Sequence, residues 1–184
     1  MEGLLSFDIA LLRGINGNFS PWSDTVFQLI SAKFTWIPLY VLLLFLLWLE
    51  KGNKVFWSLL IIVVMITVSD QLASTLSKPL FGRLRPCHVP DFADWLHTVD
   101  GHCGGRFGFY SSHASNTAAL AIFWGWRKGQ WLLFALCIWA FLNAYSRVYL
   151  GVHYPSDVIM GLLMGGGIGY GCRRLELILG RKLL

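Results

Sequence analysis

Beyond an amphipathic start, the chain runs in long apolar stretches separated by short polar connections. Residues 27–49 read FQLISAKFTWIPLYVLLLFLLWL. As a helix this run extends about 35 Å, enough for a hydrocarbon core of about 30 Å. Lys33 and Pro38 lie in its first half, a lysine able to snorkel and a proline able to kink the helix. A second run covers about 55–76 around WSLLIIVVMITV, a third 112–126, a fourth 131–144 and a fifth 158–170. The third is short and opens on small polar residues, so its first turns are expected to face protein rather than lipid. Ahead of them Leu4, Leu5, Ile9, Leu11, Leu12 and Ile15 surround Asp8 and Arg13. That pattern predicts a helix lying in the membrane interface within residues 1–20. The predicted architecture is all-α: a polytopic transmembrane bundle of five spans plus an N-terminal interfacial helix, in a single domain over 1–184.

Composition agrees with a membrane protein and excludes other classes. Of 184 residues, 55 % are hydrophobic and 14 % charged, against about 25 % charged in soluble domains. Mean hydropathy is +0.57. Disorder, coiled coil and collagen are excluded. A small soluble globule has too much surface to cover with so few charges. The N-terminus does not read as a signal peptide, since Glu2 and Asp8 stand where a positive region belongs.

The net charge of +5 follows topology rather than nucleic acid, for which no recognition motif is present. With five alternating spans, Lys51 and Lys54, Arg127 and Lys128, and Arg173, Arg174, Arg181 and Lys182 share one side with Glu50 and Glu176. The positive-inside rule makes that side, with the C-terminus, cytoplasmic. The 77–111 loop and the 147–157 connection then face outward, on the extracytoplasmic side. Cys87 and Cys103 both fall in the outward loop, where a disulfide is plausible in an oxidising compartment. Cys137 and Cys172 read as isolated small hydrophobes.

Three polar clusters fall on this outward side: KPLFGRLRP (78–86), FYSSHASN (109–116) and YSRVYLGVHYPSD (145–157). Polar groups at membrane depth are costly and mark function. Lys78, Arg85 and Arg147 supply three fixed cations suited to a tetrahedral oxyanion. Ser111, Ser112 and His113 precede a helix, whose first N–H groups suit phosphate. Asp157 follows His153 by four residues, a spacing that brings a carboxylate to one imidazole nitrogen and leaves the other free to attack. Together these residues supply phosphoryl transfer without a metal or other cofactor. One histidine attacks phosphorus, the other protonates the leaving oxygen, and the cations stabilise the equatorial oxygens.

At these residues the chain resembles the type 2 phosphatidic acid phosphatase (PAP2) superfamily. That family's first motif is a lysine, six residues, then arginine and proline, matched by Lys78 and Arg85-Pro86. Its third is serine-arginine, five residues, histidine, three residues, aspartate, matched by Ser146-Arg147, His153 and Asp157. Its second, proline-serine-glycine-histidine, meets Tyr110-Ser111-Ser112-His113, which departs at two positions without removing a reacting atom. The resemblance covers roughly 55–170. It implies a bundle of about six helices. It also implies phosphate binding by Lys78, Arg85, Arg147 and Ser111 with the Ser112 N–H, His113 as general acid, and His153 as a nucleophile oriented by Asp157. The implied activity is a lipid phosphatase on a membrane lipid phosphate, working at the periplasmic face of a bacterial inner membrane. Undecaprenyl diphosphate is the favoured substrate, with lipid A phosphate and phosphatidylglycerophosphate or phosphatidate as alternatives. A non-catalytic phospholipid binder or transporter is a further alternative. No obligate protein partner is inferred, and the oligomeric state is open.

Other features are weaker. Asp70 reads as a buried structural group or a support for the site. Cys87, His88, His97, His102 and Cys103 match no compact zinc spacing. Gly161, Gly165 and Gly169, spaced by four, suit close helix packing. Trp95, Phe107, Phe109 and Tyr110 form either an aromatic belt or the border of a lateral lipid path.

Overall fold

The computed structural model describes residues 2–101 and 103–183. His102 and the side chains of Leu4, Arg181 and Lys182 lie outside the described residues. The chain is all-α. Helix α1 covers Glu2–Asn16, α2 Pro21–Ser31, α3 Ile37–Lys51 and α4 Val55–Gln71. After α4 the chain winds through a wider π-turn, Leu72–Ser77, into the single turn of α5, Lys78–Phe81. Helices α6 (Ser112–Lys128), α7 (Gln130–Tyr149) and α8 (Pro155–Leu183) follow an irregular segment.

Local chemistry sets the breaks. Ser20 and Ser23 form a reciprocal cap at the start of α2, with Pro21 in its first turn. The expected run 27–49 is divided here. Ala32 is extended, and a 3-10 turn, Lys33–Trp36, leads into α3. Pro38 falls in the first turn of α3, where its missing N–H costs nothing, so it starts a helix rather than kinking one. Gly129, at φ 103°, takes the left-handed conformation that separates α6 from α7.

The centre of the bundle is α6 laid against α8. The glycine stripe makes this contact: a Cβ on Gly161, Gly165 or Gly169 would meet the Ser111, Ser115 or Ala119 carbonyl oxygen at 2.6, 2.0 or 2.3 Å. One core cluster joins Leu43, Leu47, Met65, Phe123, Trp124 and Trp139. A second joins Leu12, Phe92, Ala144, Val148 and Tyr154. At the far end of α6, Arg127 bonds Glu50 at 2.6 Å and also Glu176, which holds Ser58 and Arg173. This cluster ties together α3, α4, α6 and α8.

One expectation is corrected. Among the described residues, two helical stretches, not five, are long and apolar enough to cross a membrane: Lys33–Phe81 and Gln130–Tyr149. The first keeps an apolar surface turned outward, with Val41, Phe45, Phe56 and Val63 exposed. Helix α6 falls short in length, 17 residues against about 20 for a span, and α8 is long enough but too polar and glycine-rich. Ser115 and Thr117 are buried along α6, while α8 alternates glycines with Arg173, Arg174 and Glu176. The N-terminal helix packs one face against the bundle. Asp8, Leu12 and Asn16 form a buried face of α1, and Asn16 bonds the carbonyls of His97 and Tyr149 at 2.7 Å each.

Candidate active site

Helix direction alone gathers the three polar clusters. α4 and α7 end where α6 and α8 begin, so the ends of α5 and α7 meet the N-termini of α6 and α8. The π-turn falls just before Lys78, where it changes the register in which that side chain leaves the helix. Lys78 Nζ lies 3.2 Å from Ser74 Oγ and 3.5 Å from Ser112 Oγ. The serine standing at the motif's glycine position is therefore a neighbour of the lysine. Ser111 is fully buried. Its Oγ caps α6 by accepting from Ala114 N, and its N–H donates to the Asp157 carbonyl at 3.0 Å.

His153 is 2 % exposed and Asp157 0 %. His153 Nδ1 lies 3.3 Å from Asp157 Oδ2, and Arg85 Nη1 lies 2.8 Å from His153 Nε2. Arg85 itself is fixed by the Gly105 and Val152 carbonyls at 2.6 and 3.1 Å. On the other flank, His113 Nε2 donates to the Ser31 carbonyl at 3.2 Å, and Arg147 donates to Ser31 Oγ. Ser31 closes α2 and thereby joins the general-acid candidate to a cation.

Burial and surrounding charge act together on these groups. Desolvation, followed by the fields of Arg85, Arg147 and Lys78, holds His153 well below the usual imidazole range. Burial, then Arg147, lowers His113 to about 4. Burial pushes the Asp157 carboxyl up, opposed by Arg83. Both imidazoles are thus neutral in the substrate-free protein at pH 7.

Two cavities share His113 in their walls. The larger, about 680 Å³, runs between α3, α4 and α6 past Tyr40, Leu43, Ile62, Ile66 and Trp124. Asp70 and Lys33 line it, which puts Asp70 beside the site without a hydrogen bond to Lys78 or Lys33. The smaller, about 500 Å³, sets the polar groups of Gln28, Asp100 and Arg147 beside Val99, Leu150 and Val152. The aromatic residues of the outward loop do not line the larger cavity. Tyr110 is buried and joined to Phe109 by a cis peptide bond, and Trp95 packs on Phe92 and under Arg13.

Cys87 and Cys103 are bonded, with Cα atoms 5.9 Å apart. The two described histidines of that loop engage protein groups: His88 the Gly104 carbonyl and His97 the Asp24 carboxylate. The sequence reading did not assign Arg83, Asp8 or Ser31. Arg83 bonds Asp157 Oδ1 at 2.7 Å and Asp8 at 2.5 Å. Its place two residues before Arg85 was a signal, but nothing local names its partners.

The family model of the PAP2 superfamily matches residues 57–179. The chain is 38 % identical over 174 residues to the lipid A 4'-phosphatase of Bacteroides thetaiotaomicron, covering 92 % of this chain and 77 % of that one. It is equally identical over 173 residues to the lipid A 4'-phosphatase of Porphyromonas gingivalis, covering 92 % and 73 %. The crystal structure of a transmembrane PAP2 type phosphatidylglycerolphosphate phosphatase from Bacillus subtilis superposes with a TM-score of 0.75. That superposition covers 100 % of this chain and 89 % of the other at 22 % identity, a likeness of fold. A fold built to bring Lys78, His113 and His153 to one end of a membrane-associated bundle, in a sequence that the family model matches over two thirds of its length, makes this chain a phosphatase belonging to the PAP2 superfamily.

Proposed function

We propose that the protein hydrolyses a phosphate monoester of a lipid A-type glycolipid through a phosphohistidine on His153, at the extracytoplasmic face of the membrane. One observation carries the mechanism. His153 Nε2 accepts from Arg85, so the ring's hydrogen is on Nδ1 toward Asp157. The Nε2 lone pair is held by Arg85 in the substrate-free protein, among cations, and is released for attack when an arriving phosphate oxygen takes over that guanidinium.

The Nε2 lone pair forms the N–P bond while the ester P–O bond breaks. Lys78, Arg85 and Arg147 take up the charge on the equatorial oxygens, a task that a metal performs in other phosphatases. His113, whose Nε2–H is engaged by Ser31, delivers its proton from Nδ1 to the departing oxygen. The arriving phosphate dianion raises His113 from its low resting value and so supplies the protonated form. His113 then takes a proton from water. That water attacks phosphorus, the P–N bond breaks, and its electrons return to Nε2.

The glycolipid assignment rests on the two lipid A 4'-phosphatases at 38 % identity. They favour it over the undecaprenyl diphosphate suggested by the motifs alone. The larger cavity, apolar along α3 and α4 and polar at Ser112 and His113, suits a lipid with its phosphate at the inner end. The test is phosphate release by the purified protein, with a chelator present, from lipid A, undecaprenyl diphosphate and phosphatidylglycerophosphate side by side. Lipid A is expected to be cleaved fastest. Preference for either other lipid overturns the substrate, and dependence on an added divalent ion overturns the mechanism.

A further inference from the structure

Arg83 makes four polar or ring contacts that converge on the nucleophile's support. Nη1 donates to Asp157 Oδ1 at 2.7 Å and to Ser156 Oγ at 2.6 Å. Nη2 donates to Asp8 Oδ2 at 2.5 Å. The guanidinium lies over the Tyr154 ring, 3.9 Å from its centroid. Asp8, 3 % exposed on α1, also accepts from Ser156 N at 2.9 Å and Ser156 Oγ at 2.5 Å, in the first turn of α8. The two oxygens of Asp157 are thereby divided. Oδ1 is held by Arg83, while Oδ2 faces His153 Nδ1 and accepts from Tyr154 N at 3.1 Å.

We propose that Asp8 and Arg83 are positioning residues for the reaction: Asp8 holds Arg83, and Arg83 holds Asp157 ionised with one oxygen turned to His153. The N-terminal helix is on this reading a working part of the active site. The charges argue for it. A fully buried aspartate facing a neutral imidazole needs a cation to stay ionised. Arg83 supplies it directly, with Arg85 next, and Asp8 is the second carboxylate that keeps Arg83 from being drawn wholly to Asp157. Asp8 lies 149 positions before Asp157, so the arrangement exists only when α1 is docked.

The inference rests on His153 as the nucleophile, and the experiment separates the two. Arg83→Met, Arg83→Lys, Asp8→Asn and the Asp8→Asn/Arg83→Met double variant are assayed with an activated aryl phosphate from pH 4 to 8, with the phosphoenzyme trapped by rapid quench. Arg83→Met is expected to lower kcat about tenfold to a hundredfold with little change in KM. Its acid limb should move to higher pH, because Asp157 protonates more readily without the guanidinium. Arg83→Lys should return the limb toward wild type by restoring the charge. Asp8→Asn should lose activity alone, yet add little to Arg83→Met, since the two act in series. An acid limb unmoved in Arg83→Met, or losses that multiply in the double variant, overturns the inference. So does a rate of phosphoenzyme formation unchanged by any of the four. Should Arg83→Met not fold, the Arg83→Lys and Asp8→Asn limbs decide by the same criteria. Absence of phosphoenzyme in the wild-type protein overturns the nucleophile itself.

Discussion

Arg85 Nη1 lies 2.8 Å from His153 Nε2, and a guanidinium can only donate, so the histidine nitrogen is the acceptor. The ring hydrogen is left on Nδ1, which faces Asp157 at 3.3 Å. One contact thus sets the tautomer. On the proposed mechanism it also marks Nε2 as the attacking atom and gives it a guanidinium in common with the substrate oxygens.

His153→Ala is expected to abolish both turnover and the phosphoenzyme. His113→Ala should still form phosphoenzyme from aryl phosphates, whose leaving oxygen needs little acid help. It should lose about 10²–10⁴-fold on the lipid, whose alkoxide needs that help. Rapid quench followed by mass analysis under alkaline conditions checks both. A label on His113 would reverse the roles.

The low value of His113 makes stability depend on pH with a definite sign. Folded His113 titrates at about 4 and unfolded histidine at about 6.5. Between those values the unfolded chain binds more protons, so stability contributed above about pH 6.5 is lost as pH falls toward 4. The melting temperature in detergent should drop over this window. His113→Gln should show a shallower drop, and an equal slope in both proteins would count against the shift.

Two glycines of α8 should respond oppositely to the same substitution. At Gly165 an added Cβ meets the Ser115 carbonyl oxygen at 2.0 Å, while at Gly167 it meets nothing within 4 Å. Gly165→Ala should destabilise by about 1–3 kcal/mol through forced separation of α6 and α8. Gly167→Ala should be neutral or stabilise by up to about 1 kcal/mol through helix propensity. Thermal or denaturant unfolding of the pair reads the difference directly.

Reduction of Cys87–Cys103 is expected to weaken the site as well as the fold. The bond closes a loop of sequence separation 16, and Gly105, the acceptor for Arg85 Nε, follows just after Cys103. Loops of this length contribute about 3 kcal/mol when closed. The Cys87→Ser/Cys103→Ser protein should melt lower and show a raised Ki for inorganic phosphate. An unchanged Ki would show that Arg85 holds its place without the loop.

Arg127→Met should lower stability by about 1–3 kcal/mol, because Glu50 and Glu176 lose a shared buried partner while keeping Lys128 and Arg173. The cluster lies at the opposite end of α6 from His113, so kcat per folded molecule should stay within about twofold. Activity normalised to folded protein, set beside unfolding curves, separates the two effects.

Much of the site was legible because its signals are local. Four residues on a helix start bring Asp157 to His153, the spacing of Lys78 and Arg85 and of Arg147 and His153 repeats family motifs, and a four-residue glycine period announces a close helix contact. Arg83, Asp8 and Ser31 were not legible. Arg83 reaches its carboxylates across 75 and 74 positions, and a single aspartate on an amphipathic helix looks like any solvated charge. The five expected spans failed for a related reason. Hydropathy records which side chains avoid water but not whether lipid or another helix covers them. By itself, then, the sequence determined an all-α chain, its reactive residue types and their family. The tertiary structure decided which helices turn apolar surface outward, which pack through glycines, and that α1 reaches Asp157 through Arg83. Those outcomes depend on contacts between residues far apart in the chain, and no local pattern carries the energy of a contact whose second partner lies on another helix.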